Sequence, residues 1–261
     1  MCPRRLLIVA RPSHLETVRG YRVADNVEIF PGGATLLLDD NALVVADMHL
    51  GYEAALEEEG LSIPRVQTKK IEQYLTDVID DVRPSKLVVA GDLKHNFSRN
   101  LTQEWQDVAR FVRMLSGRVK LEVVKGNHDN YLGAILGEYK VPLTAETFCS
   151  GVRILHGHRG TLTHGMTIMG HIHPSIRLGD SVGASVKSPC FLFDPKLNVL
   201  VLPALSLVSP GTDVIGQAWS DGISPLLPAT GLSTFEPIAF SGPKPLRFPA
   251  VADLRVLRQS E

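Results

Sequence analysis

The sequence predicts an α/β fold of layered sheets and helices, on three observations. Short strand-like apolar runs alternate with segments of helical period, further strand-like runs gather toward both ends, and five runs stop at glycine-flanked polar residues.

Each element has its own signal. Between residues 26 and 46, "VEIF", "ATLLL" and "ALVVA" read as short strands separated by Pro31, Gly32, Gly33, Asp39, Asp40 and Asn41. Apolar positions Ile71, Leu75, Val78 and Val82 then step by four, three and four, predicting a helix with Pro64 near its first turn and Pro84 beyond its end. "LVVA" at 87–90 is the next strand. Leu101, Trp105, Val108, Val112 and Leu115 share one face of a second helix, for which Thr102 is a candidate N-cap. The strand "LEVV" at 121–124 runs into "KGNHDN", and Asp129 or Asn130 is placed to cap a short helix "YLGAILGEY". "VRIL", "TIM", "FLF" and "VLVL" complete the strands.

A length of 261 residues suits one domain with terminal extensions. We expect an extension over 1–25, the principal domain over 26–217, and an irregular tail over 218–261, where Pro, Gly and Ser accumulate and periodicity is lost. No internal repeat is visible. A formal net charge of -1 excludes nucleic-acid binding by global basicity, but not a local basic groove. Cys2, Cys149 and Cys190 form neither an even framework nor a C-x-x-C pair, as expected of a reducing compartment. "LLIVA" is too short for a signal-peptide core, and "VLVLPALSLV", broken by Pro203, falls short of the roughly 20 residues of a membrane span. The expectation is a cytoplasmic protein without membrane contact.

The five interrupted strands are "VVADMHLG", "VVAGDLKH", "EVVKGNHD", "RILHGH" and "IMGHIH". In α/β sheets, ligands collect at the carboxyl ends of strands, where loops bring distant positions together. If the chain stays extended there, i and i+2 point the same way, so Asp47 with His49, and His171 with His173, each offer two donors to one site. Asn127 and His128 point apart, which suggests one ligand and one residue facing substrate. Carboxylate, amide and imidazole without cysteine suit Mn²⁺, Fe²⁺ or Zn²⁺. The donors exceed one ion's need, and Asp92, alone as an acid at its strand end, is the natural bridge between two. His14 and His164 lack such a context. Arg99, Arg159 and Arg177 are either phosphate contacts or solvated charges. Phosphate-binding "G-x-x-x-x-G-K-[ST]", "H-E-x-x-H" and "G-x-S-x-G" motifs are all missing.

The ordered series D-x-H, G-D, G-N-H-D, H-G-H and G-H-x-H, from Asp47 to His173, resembles the calcineurin-like metallophosphoesterase superfamily. The resemblance implies a four-layer α-β-β-α sandwich with two divalent transition-metal ions at the sheet ends, Mn²⁺ foremost. Carried over by motif, Asp47, His49 and His173 hold one ion, Asn127, His156 and His171 the other, and Asp92 bridges. His158 would stand behind them and orient a ligand, while His128 acts as phosphate stabiliser or general acid. "GDLKH" is similar to the SbcD-related nuclease branch, whose histidine three places after the aspartate assists at the phosphate; here that is His95. "ADMHLGYEAALEEEGLSIP" is similar to small phosphoesterases associated with DNA ligases and helicases, which suggests a helicase or ligase partner.

The expected reaction is in-line attack of a metal-bridging hydroxide on a phosphodiester, in DNA by the branch resemblance. Lys94, Arg99, Arg110, Arg113, Arg118 and Lys120 are candidate backbone contacts, or simply solvated charges. The alternatives are a small-molecule phosphomonoesterase or cyclic-nucleotide phosphodiesterase and, from a different class, a non-catalytic interaction scaffold.

Overall fold

Two sheets stack face to face because each presents a continuous apolar surface to the other. The computed structural model describes residues 20–61, 63–96, 102–179, 185–216, 223–227 and 231–259. The first sheet holds β1 (Tyr21–Ala24), β2 (Val27–Ile29), β3 (Thr35–Leu37), β4 (Ala42–Val45), β5 (Lys86–Ala90), β6 (Lys120–Val124) and β7 (Leu143–Thr144), in sequence order. Pairing is antiparallel as far as β4 and parallel from β4 to β7.

Helices α1 (Tyr52–Glu58), α2 (Gln67–Val82), α3 (Thr102–Ser116) and α4 (Leu132–Glu138) fall among these strands. The second sheet contains β8 (Glu146–Cys149), β9 (Val152–Leu155), β10 (Thr167–Met169), β11 (Pro174–Gly179), β12 (Ser185–Asp194), β13 (Val199–Val201) and β14 (Thr212–Asp213). Its order is β14-β11-β12-β13-β10-β9-β8, with β15 (Glu236–Ser241) on β12 and β16 (Lys244–Arg247) on β15. Helix α5 (Val251–Gln259) follows.

The alternation of the strands sorts their side chains into layers. Val44, Val88 and Val124 face Ile154, Ile168, Phe191 and Leu200 between the sheets. Val45, Val89 and Val123 turn outward onto Ile71, Leu75 and Val78 of α2, Val108 and Phe111 of α3, and Ile135 of α4. The far side of the second sheet has thinner cover, from Leu226, Leu232, Phe235 and Val251 of α5. The four layers are those of the α-β-β-α sandwich, with loops supplying most of the last.

Register levels the strand ends. Val45 of β4 pairs with Val89 of β5, which pairs with Val123 of β6, so Asp47, Asp92 and Asn127 emerge side by side. In the second sheet Leu155 of β9 pairs with Met169 of β10, bringing out His156 and His171 together.

Several local expectations are corrected. Tyr21–Ala24, assigned to the extension over 1–25, is the edge strand β1 paired to β2. The tail from 218 is not irregular throughout: β15 and β16 join the second sheet, their alternation hidden in sequence by prolines at 237 and 245, and α5 packs on it through Val251. α1 was not foreseen, and α2 begins at Gln67 with Pro64 outside it. Neither Asp129 nor Asn130 is the N-cap of α4, which is Tyr131 at φ 65° without a side-chain cap. Arg99, Leu101, His14, Cys2 and the side chain of Thr102 lie outside the described residues. Cys149 and Cys190 are buried free thiols. No helix among the described residues is long and apolar enough to cross a membrane.

Candidate metal centre

Five loops deliver the polar residues, but not from extended chain. Asp47, His49, Asp92, His171 and His173 all have positive φ, between 47° and 70°. The i, i+2 pairs therefore converge through left-handed turns, a conformation that costs non-glycine residues free energy and concentrates at functional sites. Neighbouring backbone holds the turns: Asp47 N–H donates to Gly91 O at 3.0 Å, and His49 N–H to Asp92 O at 3.0 Å.

Asp47, His49, Asp92 and His173 each bring a ligand atom within 4.8 Å of the others. His173 Nε2 lies 3.2 Å from Asp47 Oδ1 and 3.2 Å from His49 Nε2, and His49 Nε2 lies 3.8 Å from Asp92 Oδ2. Asp47 is fully buried. Its Oδ2 accepts the His171 N–H at 2.9 Å, whereas Oδ1 accepts no hydrogen bond. A buried acceptor left in this way is costly, and here it points into a ring of converging lone pairs, the surroundings a cation satisfies. Burial pushes His49 down to about 3 despite the Asp47 charge, so its imidazole is neutral, the form that binds metal. On His173 burial is outweighed by the Asp47 carboxylate, which raises its pKa.

A second group adjoins the first through Asp92. His156 Nε2 lies 3.3 Å from Asp92 Oδ2 and 3.0 Å from Asn127 Oδ1. Its Nδ1 donates to Ala90 O at 3.0 Å, which fixes the tautomer and aims Nε2 at the two oxygens. The His171 ring centroid is 5.0 Å from that of His156. Burial is overcome by the Asp92 hydrogen bond and the Asp47 and Asp92 charges, which lift His156 to about 9. Burial and His156 push His171 to about 4. On Asp92, burial is opposed and outweighed by His156 and His49, which lower its pKa.

His95 and His128 stand beside this core. Ring nitrogens of His49, His95 and His128 all lie within 4.8 Å of one another. His128 Nδ1 donates to His95 O at 2.5 Å, and its Nε2 is 4.0 Å from Asp92 Oδ2. The His95 ring stacks on Tyr52, with centroids 3.7 Å apart and planes 11° apart. Burial, with His128 beside it, lowers His95 to about 4. Tyr52 was not singled out in the sequence.

The loops approach closely enough to require glycine. A Cβ on Gly126 would stand 2.0 Å from Asp92 Oδ1, and one on Gly170 would stand 2.5 Å from Asp47 Oδ2. The Asp129 carboxylate fastens the same region, accepting N–H groups from Gly126 and Asp92 at 2.8 Å, Leu93 at 3.0 Å and Lys94 at 3.3 Å. Burial and the nearby Asp92 raise it to about 6. Thus the donor set, an acceptor without a hydrogen bond and cradles that exclude a methyl group all fit divalent metal ions.

Other expectations change. His158 makes no hydrogen bond to a candidate ligand among the described residues; its Nε2 accepts from Arg159 Nε at 2.6 Å, and Ala90 O orients His156 instead. Lys94 is buried and its ammonium donates to Asn96 O, so it is not a surface phosphate contact. Arg110 pairs with Glu72 and Asp107, Arg118 with Asp80, and Arg177 with Asp213. Lys120 opens β6 at the end opposite Asn127. Arg113 sits in the last turn of α3, away from the end that meets the site. Arg159, which donates to His158, is exposed. His164 is exposed, as its lack of context suggested.

The sequence model of the family described as calcineurin-like phosphoesterase matches residues 41–186, a span that includes all five ends. The structure resembles that of Pseudomonas putida nuclease MPE, with a TM-score of 0.60 and 17% identity over 85% of this chain and 94% of that one. Such a likeness concerns the fold. YfcE, a phosphoesterase from E. coli, aligns with a TM-score of 0.34 and 16% identity, over 63% of this chain and 79% of that one. No curated protein matches the chain.

Proposed function

Because this chain belongs to the calcineurin-like phosphoesterase family, we propose that it is a metal-dependent phosphodiesterase acting on nucleic acid, with DNA as the substrate. The observation that carries this reading is the pair His95 and His128, two imidazoles left over beside the candidate ligands. Asp47, His49 and His173 would hold one divalent ion, Asn127, His156 and His171 a second, and Asp92 both. Mn²⁺ suits this set of oxygen and imidazole donors, as Fe²⁺ and Zn²⁺ do. Bound ions of this kind neutralise charge on phosphoryl oxygens and lower the pKa of water.

The protein's own groups then have distinct tasks. Asp47 and Asp92 bring negative charge into a site from which water is largely excluded. The carbonyl of His95 accepts a hydrogen bond from His128 Nδ1–H, leaving His128 Nε2 to face the reacting phosphate. Protonated there, it donates to a phosphoryl oxygen or to the leaving alkoxide. His95, kept neutral by burial, serves as a hydrogen-bond partner to the diester rather than as a fixed charge. Arg159 at the rim is available to an adjacent phosphate.

The resemblance of fold to a nuclease supports nucleic acid as the substrate. A helicase or ligase partner in DNA processing follows from sequence resemblance alone. Hydrolysis of bis-p-nitrophenyl phosphate, p-nitrophenyl phosphate and single-stranded DNA, compared with Mn²⁺ supplied, tests the reading. Cleavage of the diester and of DNA is expected; cleavage of the monoester alone overturns it.

A further inference from the structure

The two halves of the first ligand group belong to different sheets: His49 follows β4 and His173 follows β10. One buried side chain from neither sheet spans them. Gln67, the first residue of α2, donates from Nε2 to His49 O at 3.0 Å. Its Oε1 accepts from Ser206 Oγ at 2.7 Å, Leu207 N at 2.9 Å and Val208 N at 3.3 Å. Two backbone N–H donors on one atom and a carbonyl on the other fix the orientation of the amide.

The chain of bonds continues to the ligand. Ser206 Oγ, which donates to Gln67, accepts Ser209 N–H at 3.1 Å, and Ser209 Oγ lies 2.9 Å from His173 Nδ1. With His173 Nε2 given to an ion, Nδ1 would carry the proton and Ser209 Oγ would accept it. Glu53 holds Gln67 in place, because its Oε1 accepts the N–H groups of Val66 and Gln67 at 2.7 and 2.8 Å. It fills the role of an N-cap from outside α2, whose own N-cap residue, Val66, offers no side-chain bond.

We propose that Gln67 is a positioning residue that sets the separation of His49 and His173 and, through Ser206 and Ser209, the orientation of the His173 ring. The inference rests on the metal-centre reading above. An amide suits this task because it both donates and accepts; a carboxylate would repel His49 O, and an apolar residue would strand the N–H groups of the 206–209 loop.

Calorimetric titration with Mn²⁺ of the wild-type protein, of Gln67→Leu and of Ser209→Ala tests it without recourse to turnover. Two equivalents are expected to bind to the wild type. Ser209→Ala should weaken one equivalent about tenfold and leave the other unchanged, as loss of a ligand's outer partner does, with Gln67→Leu weakening that same equivalent further. Wild-type affinities for both equivalents in both variants would overturn the role of Gln67 while leaving the metal centre intact. So would an equal loss of both equivalents in Gln67→Leu with a lowered unfolding midpoint for the metal-free protein, alongside an unaffected Ser209→Ala. A wild type that binds no Mn²⁺ would remove the metal centre itself.

Discussion

The carboxylate of Asp129 accepts the backbone N–H of Asp92 at 2.8 Å across 37 positions of sequence. The same carboxylate accepts from Gly126, Leu93 and Lys94, so one buried side chain ties the β5 and β6 loops together. Replacing it with alanine strands four donors where little water can reach. Asp129→Ala should lower the unfolding free energy by about 3 kcal/mol or more, since each orphaned buried group costs roughly 1–3 kcal/mol before relaxation. Asp129→Asn keeps volume and one acceptor oxygen and should lose less. Denaturant titration of both variants checks the order; an Asp129→Ala protein as stable as the wild type contradicts it.

Gly126 makes a sharper test of the same contact. A methyl group there meets Asp92 Oδ1 at 2.0 Å and Asp92 N at 2.4 Å, so the backbone or the carboxylate must move. Overpacking of this kind typically costs about 1–3 kcal/mol, which a sandwich of this size tolerates. Gly126→Ala should therefore fold by circular dichroism yet lose metal-dependent hydrolysis. Wild-type turnover would show that Asp92 is not held where the geometry puts it.

The legible part of the site was the part that interrupts strands. Asp47, Asp92, Asn127, His156 and His171 stand out because buried apolar runs end at them, and level register then gathers them without further information. Asp129 was read as a helix cap because capping is local, whereas its partners at 92–94 carry no mark in sequence. Gln67 and Glu104 did leave a signal. Gln67 precedes Ile71 and Leu75 on the buried stripe of α2, and Glu104 precedes Val108 on that of α3, so each is a polar residue on an apolar face. Glu104 Oε1 accepts the N–H groups of His95 and Asn96, again serving the site from a helix. The left-handed turns at Asp47 and His173 had no such signal, since strain of that kind is imposed by tertiary contacts.

Asp92 and His128 should separate metal binding from chemistry. Asp92 Oδ2 lies within 4.0 Å of His49, His156 and His128 nitrogens, so Asp92→Ala removes the group common to both proposed ions. It should abolish Mn²⁺-dependent activity together with at least one binding event. His128→Ala should retain Mn²⁺ and lose about 10²-fold or more in turnover, the scale of a general acid. Metal content by elemental analysis beside kcat distinguishes the two; normal turnover in His128→Ala would refute its assignment.

Tyr52 should matter through His95. The stacked ring supports an imidazole whose Nδ1 is buried without a hydrogen bond, and it is the nearest of the rings that bear on His95. Tyr52→Phe preserves that face and should be nearly silent. Tyr52→Ala frees the ring, and misplacement by about 1 Å of a group proposed to contact the diester can cost as much as 10²-fold. Diesterase activity should therefore fall in Tyr52→Ala with Mn²⁺ affinity unchanged. Equal activity of the two variants would show that His95 needs no such support.

Removal of metal provides the last test. Asp47 and Asp92 are almost wholly buried with four imidazoles around them, an arrangement in which cations offset carboxylate repulsion and satisfy converging lone pairs. Ions that bind only the folded chain stabilise it by linkage, about 2.7 kcal/mol for one site at a free concentration of 100 times its dissociation constant. Chelation should accordingly lower the unfolding midpoint, and returning Mn²⁺ should restore it in proportion to the logarithm of its concentration. The same titration on Asp92→Ala should give a much shallower rise, because the shared ligand is gone. A midpoint insensitive to chelator in the wild type, with hydrolysis intact, would mean that the buried carboxylates are stabilised by the surrounding protein alone and that the proposed centre does not bind metal.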